Sequence, residues 1–145
     1  MIDLKTEYAG LKLRNPLIAG SSGLTNNPER NKEFEKAGVG AIVLKSLFEE
    51  QIEMQSSNLL KDSDYPEASD YVQEYVKVNQ VNEYLELIKK TKALCTIPII
   101  ASINCYKSAA WVEFAHQIEK AGADAIELNI FFLETDLTYN SDKTR

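Results

Sequence analysis

The sequence predicts an α/β fold, a succession of strand and helix pairs laid on a parallel sheet, and three observations carry that expectation. The stretch Pro98 to Asn129 reads strand, helix, strand in about thirty residues, the size of a parallel βαβ unit. The same pattern is written earlier: Pro16-Leu17-Ile18-Ala19 answers Pro98-Ile99-Ile100-Ala101 at an offset of 82, and Glu35-Lys36-Ala37-Gly38 answers Glu119-Lys120-Ala121-Gly122 at an offset of 84. Ala41-Ile42 and Ala125-Ile126 share that second offset, with another unit's worth of chain between the two copies. Finally, Ile99-Ile100-Ala101-Ser102-Ile103 is too short for a helix and β-branched enough for a strand buried on both faces.

In chain order, residues 1–13 hold two short alternating runs joined at Ala9-Gly10, as in a small hairpin with one wet face. Asn15-Pro16 starts the first buried strand, Leu17 to Gly20, and a small-residue loop follows, Gly20-Ser21-Ser22-Gly23-Leu24-Thr25. Asn27 before Pro28 suits a helix start, Ala37 its end, and Gly38 and Gly40 bracket the exit. The strand Ala41-Ile42-Val43-Leu44 ends in Lys45-Ser46. A lysine directly after buried aliphatics emerges into solvent or meets an anion or an electron-rich ring.

From Phe48 to about Tyr75 the chain is polar with little period, expected to be a long loop bearing Tyr65, Tyr71 and Tyr75. A second helix is expected from about Val81 to Leu94, with Tyr84, Leu85, Leu87 and Ile88 inward. In the second βαβ copy Trp111, Phe114, Ala115, Ile118 and Ala121 recur at helical spacing until Gly122. The chain then runs through Ile130-Phe131-Phe132-Leu133 into a polar tail ending at Arg145.

Composition bounds the function. At 145 residues with 44% hydrophobic content the chain holds one domain with a core, whereas a whole (β/α)8 barrel needs about 250 residues. A net charge of -6 and a pI near 4.9 argue against a nucleic-acid surface, which clustered Lys and Arg would mark. No apolar run approaches a membrane span, and Met1 to Glu7 lack a signal peptide's apolar core, so a cytoplasmic, membrane-free protein is expected. Cys95 and Cys105 lack metal-type spacing and read as free thiols, Cys105 as a small buried filler beside a strand end.

Several site chemistries find no support. His116 is the only histidine and falls off the apolar stripe of its helix, so it reads as a solvated side chain. With one histidine and no paired cysteines no zinc site can be assembled. Ser21, Ser22 and Ser46 have no histidine at a matching strand end, and no GxGxxG or GxxxxGK[ST] sequence occurs. What remains is the offset of 84, which aligns Lys45 with Asn129. Both are polar and follow a buried strand, where barrels and open α/β sheets alike place ligand contacts, and the two are expected to open onto one cavity at one rim.

Together, the N-terminal hairpin, Asn15-Pro16-Leu17-Ile18-Ala19-Gly20-Ser21, Gly40-Ala41-Ile42-Val43-Leu44-Lys45-Ser46, Ala101-Ser102-Ile103-Asn104 and Glu127-Leu128-Asn129 resemble the dihydroorotate dehydrogenase family, closest to its class 1 and dihydroorotate dehydrogenase-like branch. The resemblance implies a TIM (β/α)8 barrel, of which residues 1–145 would cover the hairpin and about the first four β/α units as one domain. It implies FMN as cofactor and oxidation of a dihydropyrimidine to a pyrimidine, the desaturation step of pyrimidine nucleotide biosynthesis. Carried over by position, Ala19, Gly20 and Ser21 would line the flavin, Lys45 would contact flavin and substrate with Ser46 beside it, Asn104 would stand by the flavin, and Asn129 would offer its amide to flavin or substrate.

Three departures from the family pattern stand out. Its Ser-Cys-Pro-Asn segment, whose cysteine is the base, is replaced by Ile130-Phe131-Phe132-Leu133, so Phe132 stands at the expected base position. Its Asn-Ser-Met-Gly substrate motif has no counterpart in Tyr75 to Asn82. Four strands would leave two open edges and a bare inner face, so the chain is expected to be part of a longer polypeptide or to associate with its own kind. The competing expectation is a half-barrel without catalysis, acting as a self-associating or ligand-binding module.

Overall fold

In the computed structural model the described residues are 2–52, 54–55, 69–104 and 108–130. Strand β1 (Thr6–Tyr8) and β2 (Leu11–Leu13) pair antiparallel with Thr6 opposite Leu13. Their two-residue turn has Ala9 at φ 50 and Gly10 at φ 76. Two successive positive φ angles make the turn whose twist matches that of a hairpin.

The main sheet is five-stranded and wholly parallel. Its strands are β3 (Ile18–Ala19), β4 (Ala41–Val43), β5 (Leu47–Phe48), β6 (Ile99–Asn104) and β7 (Ala125–Leu128). β4 and β5 lie end to end along one edge of β6 while β7 takes the other, so the spatial order β3, β4/β5, β6, β7 is the order of the chain. Val43 opposes Ile100 and Leu47 opposes Ile103, so residues 44–46 face only residues 101–102. One extra residue in the strand is a β-bulge, and it falls on Leu44-Lys45-Ser46.

Three helices make the crossovers: α1 (Pro28–Ala37), α2 (Ser69–Leu94) and α3 (Ser108–Ala121). Asn27 caps α1 by accepting the Arg30 N–H, Pro28 opens it, and Gly38 at φ 107 ends it. Gly40 is required by space, since a Cβ there would lie 2.2 Å from the Asn15 carbonyl oxygen. α2 begins about a dozen residues before the start expected from the sequence. In that added stretch Val76 is buried, whereas Tyr71, Tyr75 and Val78 are exposed. Tyr71 and Tyr75 therefore stand on a helix and not in a loop; Tyr65 lies outside the described residues.

All three helices pack on one face of the sheet. There Ile42, Leu44, Ile99, Ala101 and Ile103 meet Val81, Tyr84, Leu87 and Ile88 of α2 and Phe114 and Ile118 of α3, with Phe34 of α1 against them. Each such fully buried aliphatic or aromatic side chain contributes about 2 kcal/mol of burial. The opposite face alternates with it: Ala41, Val43 and Ile100 form a second cluster with Leu13, flanked by Leu11, Ile18 and Ala125. The hairpin thus covers the N-terminal half of this face, the helix-free face among the described residues.

Side chains lock the crossovers. Glu35, buried in α1, accepts from the Thr96 N–H (2.8 Å), the Thr96 hydroxyl (2.6 Å) and the Ile97 N–H (3.2 Å), and pairs with Lys32. Burial raises its pKa, but the hydrogen bonds from Lys32 and Thr96 outweigh it and hold the carboxyl at about 2. Arg14 donates to the Val39 and Glu35 carbonyls at the end of α1. Asp124 accepts from Ile99 N–H and pairs with Lys92 at 2.7 Å, tying β7 to α2 and β6.

Candidate functional site

The C-terminal half of the helix-free face is polar. Successive inward positions change from Ile100 to Ser102 on β6 and from Ala125 to Glu127 on β7, each two residues further along its strand. On the neighbouring strand the bulge shifts the alternation, so that Ser46, not Lys45, comes level with Ser102. A line of hydrogen bonds crosses the ends of the sheet. Ser21 Oγ lies 3.0 Å from Ser46 Oγ and also accepts the Ser46 N–H at 3.0 Å. Ser46 Oγ lies 2.7 Å from Ser102 Oγ, and Ser102 Oγ donates to Glu127 Oε1 at 2.8 Å. Ser46 and Ser102 are buried, while Ser21 and Glu127, the two ends, are exposed.

The bulge also interrupts the backbone ladder. Ile100 accepts from Leu44 on the β4 side, whereas Ile99 and Ile103 face β7, so the backbone groups of Ser102 point into the interruption. The Tyr84 hydroxyl enters it from α2, accepting the Ser102 N–H at 2.8 Å and donating to the Ser102 carbonyl at 2.9 Å. Burial pushes the Tyr84 phenol far above its ordinary range, and the Glu127 carboxylate adds to the shift, so it stays a neutral donor.

The residues expected to form the site divide into three groups. Asn104, the last residue of β6, donates its side-chain amide to the Asn129 carbonyl at 2.6 Å, and Asn129 N–H donates to Ile103, so these two stand together at the end of β6 and β7. Ser21 and Ser46 are joined to each other, with Ala19 ending β3 and Gly20 opening the loop, where a side chain would meet nothing within 4 Å. Lys45, half-buried in the bulge, lines a cavity of 540 Å³ with Phe48, Glu83, Tyr84 and Leu87, and Asn129 is not among the residues lining it. Lys45 and Asn129 both follow C-terminal strand ends of one parallel sheet, as expected, but the bulge gives Lys45 a cavity bordered by α2. Phe132 and Cys105 lie outside the described residues.

Sequence reading missed Ser102, Glu127 as a hydrogen-bond partner, and Tyr84 as a polar participant. Ser102 looked like an interruption in an aliphatic run, and Tyr84 like one more core aromatic. A hydroxyl in the middle of a buried strand needs a partner, and that need was the available signal. His116 is exposed on α3 with Glu119 3.7 Å away, in keeping with a solvated helix face. Cys95 is buried, and burial together with the Glu35 carboxylate pushes its thiol up, which keeps it protonated and unreactive. Among the described residues no group of three or more metal-ligating side chains occurs, and no helix is long and apolar enough to cross a membrane.

No family model matches the chain. Comparison with curated proteins finds the catalytic subunit of dihydroorotate dehydrogenase B (NAD(+)) of Thermoplasma volcanium, 29% identical over 140 residues, covering 90% of this chain and 42% of the relative. A putative dihydroorotate dehydrogenase A (fumarate) of Aeropyrum pernix is 31% identical over 129 residues, covering 88% and 41%. The catalytic subunit of dihydroorotate dehydrogenase B (NAD(+)) of Thermoplasma acidophilum is 27% identical over 132 residues, covering 90% and 42%. The chain spans about two fifths of the length of these relatives.

Proposed function

We infer, from homology to the dihydroorotate dehydrogenases along 90% of the chain, that it supplies the first four β/α units of an FMN-dependent oxidoreductase barrel acting on a dihydropyrimidine-like ring. The supporting observation is the polar line from Ser21 to Glu127 at the C-terminal strand ends, on the face that carries no helix. With strands in chain order and α1, α2 and α3 on the other face, the sheet is wound in one sense, as in a barrel, and in a barrel the face opposite the helices is the interior.

The residues present suit the edge of a flavin ring. An isoalloxazine edge alternates donors and acceptors, and Ser21, Asn104 and Asn129 offer both kinds at the rim, with Ser46 buried behind Ser21 and open space above Gly20. In this reading Ala19, Gly20 and Ser21 line one side, Ser46 and Asn104 the floor, and Asn129 the far side. Lys45 lies apart from this edge, in the cavity bordered by α2, and takes no part in holding the ring. Bound FMN supplies acceptance of a hydride from the saturated ring. Barrels of this kind hold the phosphate with loops after strands seven and eight, which these four strands do not include.

Flavin fluorescence titration of the purified chain tests the assignment. Riboflavin and FMN should quench alike, with dissociation constants within about twofold, because the four strands touch the ring and not the phosphate. Ser21→Ala and Asn129→Ala should each weaken both. Failure of either flavin to bind at millimolar concentration would overturn the reading. The partner that closes the sheet is either a further length of barrel or a second copy. Among the described residues no strand pairs with the outer edge of β7, and the exposed Val112, Leu128 and Ile130 beside it favour such closure.

A further inference from the structure

The line of hydroxyls from Ser21 to Glu127 has a direction. An ionised carboxylate only accepts, so Ser102 donates its single proton to Glu127 Oε1 at 2.8 Å. Ser102 Oγ can then only accept from Ser46 Oγ, 2.7 Å away. Ser46, its proton committed, accepts in turn from Ser21 Oγ at 3.0 Å, while Ser21 Oγ accepts the Ser46 N–H. Every proton therefore points from Ser21 toward Glu127. Ser21 is left with an unused lone pair at the exposed rim, and the two inner hydroxyls, Ser46 and Ser102, are 8% and 0% exposed, shut off from bulk water.

We propose that this line is a proton relay that carries a proton from a ligand bound at Ser21 to the carboxylate of Glu127, across the ends of four parallel strands. Ser21 Oγ takes the ligand's proton and gives its own to Ser46, Ser46 gives its own to Ser102, and Ser102 gives its own to Glu127. Each serine ends with one O–H, the ligand keeps the electron pair of the broken bond, and Glu127 becomes the neutral acid. Glu127 is exposed, so its proton then leaves to solvent and the line resets. The ligand class is a ring with an acidic N–H or a C–H beside a carbonyl, which rests on the flavin and dihydropyrimidine reading. The relay supplies the proton acceptor that a phenyl ring at Phe132 cannot be.

Two features hold the line in place. Tyr84, from α2, fixes Ser102 by bonding both its backbone groups. Asn104 and Asn129 sit beyond Ser102 and Glu127 along the same two segments, and the Asn104 amide donates to the Asn129 carbonyl.

Carbon-detected NMR of the full chain tests the relay without any substrate. Glu127→Gln, on an exposed side chain, replaces the acceptor at the end of the line by an amide that also donates, and the Cβ signals of Ser102, Ser46 and Ser21 should all shift with it. In a Ser102→Ala background the same Glu127→Gln substitution should leave Ser21 unmoved. A Ser21 signal that does not respond to Glu127→Gln, or that still responds when Ser102 is alanine, would overturn the relay. Riboflavin binding with an unresponsive Ser21 would sink the relay and spare the flavin site; a coupled Ser21 without riboflavin binding would sink only the ligand assignment.

Discussion

The Tyr84 hydroxyl lies 2.8 Å from the amide nitrogen of Ser102 and 2.9 Å from its carbonyl oxygen, doing for a strand what a neighbouring strand would otherwise do. The bulge at residues 44–46 removes that neighbour, and the hydroxyl, donor and acceptor at once, satisfies both backbone groups. The helix layer thereby sets the position of the strand residue at the centre of the polar line.

Replacing Tyr84 with Phe keeps the ring and its packing but strands two buried backbone groups. The expected loss is about 2–4 kcal/mol of unfolding free energy, read as a lower urea midpoint at unchanged slope. A loss below about 0.5 kcal/mol would mean the groups find other partners.

Glu35 makes stability depend on acid. Its folded pKa, about 2, lies below the ordinary 4.5, so the folded state binds fewer protons there than the unfolded chain. The contribution is fully present above pH 4.5 and is lost as pH falls through 2. Roughly 2 kcal/mol should disappear across that window, and Glu35→Gln should remove this part of the pH dependence. Unfolding free energies measured against pH for both proteins decide it; parallel curves would contradict the assignment.

Two glycines make a controlled pair. At Gly40 an added methyl meets the Asn15 carbonyl oxygen at 2.2 Å, backbone that cannot yield without moving the start of β3. Gly40→Ala should cost about 2 kcal/mol or more, whereas Gly20→Ala, facing open space, should stay within about 0.5 kcal/mol. Thermal melts of the two variants distinguish them, and equal melting temperatures would refute the steric argument.

Much of the fold was legible because it is local. The capping pair Asn27-Pro28, the stop at Gly38, the aliphatic runs at Ala41–Val43 and Ile99–Asn104, and the repeat offset between the two βαβ copies all report on short-range chemistry. The start of α2 was harder to read, because Tyr71, Val72, Tyr75 and Val76, although at helical spacing, follow directly on a polar stretch without period. Nor was the bulge, which depends on how two strands 56 residues apart come into register. That one extra residue is why Ser46 faces Ser102 and Lys45 lines a cavity bordered by α2. A strict alternation from Val43 would have placed Lys45 in the line instead.

Resonance mapping with riboflavin tests the central claim most directly: that the polar ends of four parallel strands, on the helix-free face, are a flavin-ring site. Titrated into the isotopically labelled chain, riboflavin should shift the signals of Gly20, Ser21, Ser46, Asn104 and Asn129 together, along one saturation curve. Shifts confined to the groove between Trp111 and Leu128, or to the outer faces of α2 and α3, would contradict the account.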